Sequence, residues 1–229
     1  MQNTSNSPSP LTLIKTYNKL YRLYGPQGWW PAKSRLEVIV GAILTQNTAW
    51  SNVEKAINNL KAEALVSSPS KLHNADARKL SRLIRPAGYY NVKAARLKNF
   101  TKFLFRKYAG SLAKMAKEPT RRLRGELLAV NGIGPETCDS ILLYAFARPV
   151  FVVDAYTKRI FSRHGLFAPG AAYESVQAVF EDNLPSDEDI FNEYHALIVR
   201  LAKVHCGTKA RCGNCPLRGV IFLAKDHER

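Results

Sequence analysis

Apolar residues recur at intervals of three and four along most of the chain. The repeat is clear in residues 36–44, 53–60 and 97–104, and it is typical of helices with one buried face. Glycine and proline separate these stretches and predict about ten helices joined by short loops. The strand-like residues 150–153 are too few and too isolated for a sheet, so we expect a buried connector there. The pattern predicts an all-α fold.

The net charge of the chain says more about its function than its length does. The 229 residues are enough for one large or two small domains. The 34 Lys and Arg against 18 Asp and Glu give a net charge of +16, which favours a polyanionic partner, although a merely solvated basic surface would have the same composition. The polar start, 1–10, predicts a disordered tail and not a signal peptide. Without a long apolar run, we expect no membrane contact. We further expect a monomer in the cytoplasm.

A short glycine-rich turn joins two predicted helices. Asn131, Gly132, Ile133 and Gly134 form the turn, and Pro135 opens the second helix. Glycine permits positive φ and the close approach of a phosphate, and free amides at a helix start favour an anion. The turn therefore predicts a contact with a nucleic-acid backbone, although a structural corner between helices has the same pattern.

The residues after this turn resemble a known superfamily. Asp154 follows Gly134 by twenty residues and resembles the catalytic aspartate of the helix-hairpin-helix glycosylases, which include endonuclease III. Residues 41–48 and 88–94 also match, and the likeness runs from about Tyr17 to Pro216. Asp154 is placed to cap the following helix as well.

The resemblance implies an architecture of two helical lobes with a cleft between them for DNA and a flipped base. The central lobe is expected at 33–150, with the helix-hairpin-helix motif at about 120–147. The second lobe is expected to combine 11–32 with 151–229.

Two carboxylates are the candidate catalytic groups. Hydrolysis of a nucleoside bond passes through a sugar with oxocarbenium character, which the Asp154 carboxylate can stabilise while it orients water. In the endonuclease III branch, a lysine two residues after the last hairpin glycine forms a Schiff base, and this chain has Glu136 there. A carboxylate cannot form an imine, so we expect a DNA glycosylase without AP lyase activity. Glu136 is the second candidate, and its alternative role is to stabilise its own helix.

The substrate expectation comes from a narrower resemblance. The Gly-Ile-Gly-Pro-Glu-Thr hairpin, with Trp29-Trp30-Pro31 and residues 44–50, resembles the bacterial 3-methyladenine DNA glycosylases. Alkylated purines carry positive charge, which an aromatic slot attracts, although the tryptophans would also serve as core residues. The base pocket is predicted at Trp29, Trp30, Trp50, Gln46 and Lys203. Outside the hairpin turn, Asn47 and Lys93 are predicted to contact the damaged double-stranded DNA.

Three cysteines near the C-terminus raise the question of a cofactor. Endonuclease III relatives with a [4Fe–4S] cluster show Cys-x6-Cys-x2-Cys-x5-Cys there. Here Cys206, Cys212 and Cys215 have a first gap of five, and Ile221 stands at the fourth position. With His205 or His227 as the fourth ligand, an atypical iron–sulfur or zinc site is one interpretation, and a remnant with reduced thiols is the favoured one. No metal is expected to take part in the chemistry.

Three functions therefore remain open. The first is a glycosylase for alkylated purines such as 3-methyladenine. The second is the same fold acting on uracil, a T/G mismatch or an oxidised pyrimidine, or acting as a weak AP lyase through another lysine. The third is a DNA-binding module without catalysis.

Overall fold

The computed structural model describes residues 10–222, which form helices without a β-sheet. The all-α prediction is confirmed, and two short helices, α4 and α7, bring the number in this range to twelve. None of these helices is both long and apolar enough to cross a membrane. Of the predicted tail, 1–9 lies outside the described residues and Pro10 begins the first helix. The helices are α1 (Pro10–Tyr24), α2 (Arg35–Leu44), α3 (Trp50–Ala62), α4 (Pro69–Asn74), α5 (Ala77–Leu83), α6 (Tyr90–Tyr108), α7 (Leu112–Met115), α8 (Thr120–Leu128), α9 (Pro135–Ser140), α10 (Ala155–Arg163), α11 (Tyr173–Glu181) and α12 (Glu188–Val204).

The chain divides into two compact units. One unit is Trp30–Arg148, which contains α2 to α9. The other is Met1–Trp29 with Pro149–Arg229, of which 10–29 and 149–222 are described, and it contains α1 and α10 to α12. The second unit is thus discontinuous in sequence.

Helix α2 is the core helix of the unit 30–148. Every residue from Leu36 to Leu44 is buried, which the nearly continuous apolar sequence explains. Its start is capped reciprocally: the Ser34 hydroxyl accepts from the Glu37 amide at 3.2 Å, and the Glu37 carboxylate accepts from the Lys33 amide at 3.0 Å. Helices α3, α6 and α9 pack around α2. The loop after Leu44 therefore starts from a helix that is held in place on several sides.

Aromatic side chains fill the core of the other unit. Phe151 and Phe180 stack with ring centroids 4.2 Å apart and planes 4° apart, and Phe161 meets Phe180 edge to face at 5.0 Å. Phe191 and Tyr194 of α12 add further edge contacts to Phe151. The core thereby joins the segment before α10 to α10, α11 and α12.

Candidate functional site

Asp154 lies where a buried extended segment turns into α10. Residues 150–153 are buried and form no strand, as predicted for a connector. The Asp154 Oδ1 atom accepts from the Thr157 amide at 2.7 Å and from the Thr157 hydroxyl at 2.9 Å. Gly165, with φ of 78°, follows the end of the helix. The predicted N-cap role of Asp154 is confirmed, and it fixes one carboxylate oxygen.

Side chains from one face of α11 hold the connector in place. Gln177 donates to the Phe151 carbonyl at 2.8 Å, and the Glu181 carboxylate accepts from the Phe151 amide at 2.8 Å. The Tyr173 hydroxyl accepts from the Val153 amide at 3.3 Å. An extended buried backbone lacks the hydrogen bonds of a helix or sheet, so these side chains supply them. Sequence reasoning missed this role, although the polar side chains recur every four residues along α11.

A histidine from α12 faces the second oxygen of the Asp154 carboxylate. His195 Nε2 lies 3.5 Å from Asp154 Oδ2, and only 7% of His195 is exposed. Burial raises the pKa of Asp154, but the charge of His195 and hydrogen bonds from His195 and Thr157 outweigh it, so the pKa lies below its ordinary value. The carboxylate is therefore held ionised and oriented. Sequence reasoning missed His195 because it lies on a different helix.

In the hairpin turn of the unit 30–148, Gly132 has the positive φ that glycine permits, whereas Gly134 does not. Gly132 has φ of 93°, and a Cβ there would collide with the Arg96 side chain. Ile133 is buried with 4% exposed and anchors the turn. Gly134 is extended at the start of α9, and Asn131 is exposed while its carbonyl accepts from Asn99 at 3.1 Å. Asn131 and Gly134 are thus at the surface.

A buried ion pair joins the two helices of the hairpin. Arg124 of α8 donates from Nε to Asp139 Oδ1 at 2.7 Å and from Nη2 to Asp139 Oδ2 at 3.0 Å. Asp139 is completely buried. The two parallel hydrogen bonds fix the angle between α8 and α9, and with it the turn.

Gln46 lies at the hairpin turn, and its assignment to the base pocket stays a prediction. Its Nε2 atom donates to the Gly132 carbonyl at 3.0 Å and to the Thr137 hydroxyl at 2.9 Å, and its Oε1 accepts from Arg96. It does not cap the next helix, because the N-cap residue of α3 is Ala49 and that cap has no side-chain hydrogen bond. With its amide committed in this way, Gln46 supports the turn.

Two of the three tryptophans belong to one aromatic cluster, which we define as Trp30, Trp50 and Tyr144. The Trp30 ring centroid lies 5.1 Å from that of Trp50 and 5.0 Å from that of Tyr144, and all three side chains are half-buried. A Cβ on Gly41 would lie 2.9 Å from Trp30 Cζ2, so the glycine makes room for the indole. Trp29 is half-buried and belongs to the other unit. Sequence reasoning missed Tyr144 because its neighbours in the sequence are apolar, so it resembles a core residue.

Comparison of the sequence with known protein families agrees with this geometry. Residues 40–186, which include both the hairpin and Asp154, match the HhH-GPD superfamily base excision DNA repair proteins. The chain belongs to this family of DNA glycosylases. The resemblance to endonuclease III-like proteins is thereby confirmed.

Relatives of known sequence and structure cover most of the chain. A Methanocaldococcus jannaschii protein, named as a candidate DNA repair glycosylase, is 56% identical over 208 residues, 90% of this chain and 94% of that protein. Endonuclease III of Sulfolobus acidocaldarius is 29% identical over 79% of this chain and 78% of its own. The structure is similar to that of H. pylori 3-methyladenine DNA glycosylase bound to 1,N6-ethenoadenine, with 28% identity, a TM-score of 0.73, and 85% and 97% of the two chains covered. An endonuclease III–DNA complex shares the fold, with 19% identity, a TM-score of 0.79, and 93% and 95% covered.

Lys93 is buried in this HhH-GPD protein, whereas a contact with DNA requires an exposed side chain. Only 1% of the residue is exposed, and its Nζ donates to the Leu44 carbonyl at 2.9 Å and to the Ala87 carbonyl at 2.7 Å. Burial and the nearby charge of Arg96 lower the pKa of Lys93 to about 8. The prediction of a phosphate contact needs correction, because the ammonium group ties the end of α2 to the turn before α6.

The remaining predicted residues lie at the surface. Glu136 is exposed in the first turn of α9, and Asn47 is exposed with φ of 53° in the loop after α2. Lys203 is exposed in the last turn of α12, and its assignment to the base pocket stays a prediction.

The cysteines do not fit the cluster that endonuclease III relatives carry. Cys206 is buried, Cys215 is half-buried and Cys212 is exposed, and Ile221 stands at the fourth ligand position. Among residues 10–222, no group of three or more His, Cys, Asp or Glu side chains is arranged to hold a metal ion. His205 therefore completes no such group, and His227 lies outside the described residues.

Proposed function

We propose that this HhH-GPD protein is a monofunctional glycosylase that releases an alkylated purine, such as 3-methyladenine, from double-stranded DNA. The observation that carries the proposal is the Asp154 carboxylate. Thr157 engages one of its oxygens, His195 faces the other, and its pKa lies below the ordinary value. A fixed, ionised carboxylate is the group that cleavage of a nucleoside bond requires.

Asp154 acts on the sugar and on water. As the bond to the base lengthens, positive charge develops on the sugar, and the carboxylate stabilises that charge. A water molecule that donates a hydrogen bond to the Asp154 carboxylate is held for attack on the anomeric carbon. Asp154 accepts the proton of this water as the bond to the sugar forms. His195 keeps the carboxylate oriented during this step.

The absence of lyase activity follows from Glu136. A carboxylate cannot form an imine with the sugar, so no covalent intermediate arises at that position. The buried Lys93 is no substitute, because its Nζ is committed to the carbonyls of Leu44 and Ala87. Strand breakage at the resulting abasic site therefore depends on external base.

The aromatic cluster supports a cationic purine as substrate. Electron-rich rings attract a positively charged base more strongly than a neutral one. Such a base is also a good leaving group, so the reaction needs little acid catalysis. The 28% identity with a 3-methyladenine DNA glycosylase supports the same assignment. Trp29 is a further aromatic candidate for contact with the base.

The DNA backbone is bound at the hairpin turn 131–134. Exposed backbone at Gly134, together with Asn131, provides polar groups for a phosphate. The net charge of +16 gives a broad attraction for DNA, which added salt weakens. Exposed Asn47 is the candidate in the neighbouring loop.

Base release from defined duplexes tests the proposal. The panel contains 3-methyladenine, 7-methylguanine, hypoxanthine, uracil and oxidised pyrimidines, with strand breaks scored before and after alkali. Release of methylated purines with breaks only after alkali supports the proposal. Release of another lesion, or breaks without alkali, would replace it with the endonuclease III-like alternative, and binding without release would leave a DNA-binding module.

A further inference from the structure

Side chains of α10 hold the cysteine segment, defined as residues 205–222, by its backbone. Arg159 Nε donates to the Cys206 carbonyl at 2.8 Å. Arg163 donates from Nη1 to the Gly207 carbonyl and from Nη2 to the Thr208 carbonyl, each at 2.8 Å. The two arginines are four residues apart and so lie on one face of the helix. They satisfy three successive carbonyls of a loop that lacks regular structure.

The guanidinium of Arg163 also contacts the first thiol of the segment. Arg163 Nη1 donates to Cys206 Sγ at 3.2 Å. The guanidinium of Arg163 is thus the hydrogen-bond donor that the Cys206 sulfur has in the folded segment. Cys206 is 7% exposed and is therefore fixed beside the arginine.

The far end of the segment returns to α10 as well. His164 Nδ1 lies 2.6 Å from the Val220 carbonyl, and the Phe222 amide donates to the His164 carbonyl at 3.0 Å. Phe222 packs on Phe161 with ring centroids 5.5 Å apart. Ile221, at the position of a fourth ligand, is 68% exposed. Protein groups of α10 and of the residue after it thus anchor both ends of the segment.

We propose that Arg159, Arg163 and His164 replace a metal cluster as the device that folds the cysteine segment. The segment then keeps its structure with reduced thiols and no iron or zinc. Because Asp154 is the N-cap residue of α10, the same contacts anchor the helix that this residue caps.

The first test removes the metal and the thiols. The full chain is purified, dialysed with and without a strong chelator, assayed for iron and zinc, and unfolded by heat. The triple variant Cys206→Ala, Cys212→Ser, Cys215→Ser is treated identically. We expect less than one metal per ten chains and changes in Tm below about 2 °C. Stoichiometric metal together with a large loss of Tm on chelation or in the triple variant would overturn the proposal.

The second test removes the clamp. Arg163→Met deletes the two carbonyl contacts and the sulfur contact while keeping most of the aliphatic stem, and we expect a fall in Tm of at least about 4 °C. Proteolytic cleavage within 205–222 should become several times faster. Lys209→Met, at an exposed position of the same segment, is the matched control and should change neither quantity. If Arg163→Met behaves like this control, the arginines do not hold the segment.

Discussion

Gln46 Nε2 lies 3.0 Å from the carbonyl oxygen of Gly132, so the loop after α2 supports the hairpin turn directly. The same nitrogen also donates to Thr137 in α9, and Arg96 from α6 completes the arrangement. The hairpin turn and the two helices α6 and α9 therefore converge on one side chain. This explains how a short turn with two glycines keeps a single conformation.

Replacing Gln46 with Ala should weaken DNA binding by loosening this turn. Two hydrogen bonds to the hairpin are lost, each contributing about 1 kcal/mol, and the Gly132 carbonyl loses its side-chain donor. We expect roughly tenfold weaker binding to undamaged duplex and faster amide exchange in 131–134. Asn58→Ala, at an exposed position of α3, is the control. Unchanged exchange in the turn would show that Gln46 does not support it.

Replacing Gly41 with Ala should disturb the aromatic cluster without a large loss of stability. The added Cβ lies 2.9 Å from Trp30 Cζ2, so the indole must shift, while alanine improves helix propensity by about 1 kcal/mol. We expect altered tryptophan fluorescence and about tenfold slower release of methylated purine. Gly125→Ala in α8, where a Cβ meets nothing within 4 Å, is the matched control. Equal release rates in the two variants would remove the cluster from substrate selection.

The low pKa of Asp154 predicts how stability depends on pH. Its folded-state pKa lies below the ordinary value of about 3.9, so the ionised group stabilises the fold above that pH. The contribution is lost as the pH falls below about 4 towards the folded-state pKa. The free energy of unfolding of the wild type should therefore fall more steeply between pH 5 and pH 3 than that of Asp154→Asn, by about 1 kcal/mol per unit of pH at most. Parallel curves from urea unfolding would contradict the assignment.

Local signals in the sequence predicted the helices, the hairpin turn and the cap at Asp154. Each depends on neighbouring residues: glycine at positive φ in the turn, and a carboxylate three residues before the amide it accepts from. The apolar run at 150–153 likewise predicted a buried connector, because such residues have no favourable exposed position.

Local signals in the sequence did not predict the contacts between residues that are far apart in the chain. Lys93 has the sequence context of a surface lysine, yet it lies among backbone carbonyls that only the folded unit brings together. His195 and Asp154 are forty-one positions apart, and nothing local marks either as the other's partner. Gln46 was assigned to the pocket by resemblance, and its role at the turn depends on the position of Gly132.

Single-turnover release of 3-methyladenine by the wild type and Asp154→Asn tests the central claim most directly. Asparagine retains the cap at the start of α10, so duplex binding should stay within about threefold. We predict that the release rate falls at least about a thousandfold, because the variant has lost the charge that stabilises the sugar cation. A rate within tenfold of the wild type, with intact binding, would contradict the claim that Asp154 is the catalytic carboxylate.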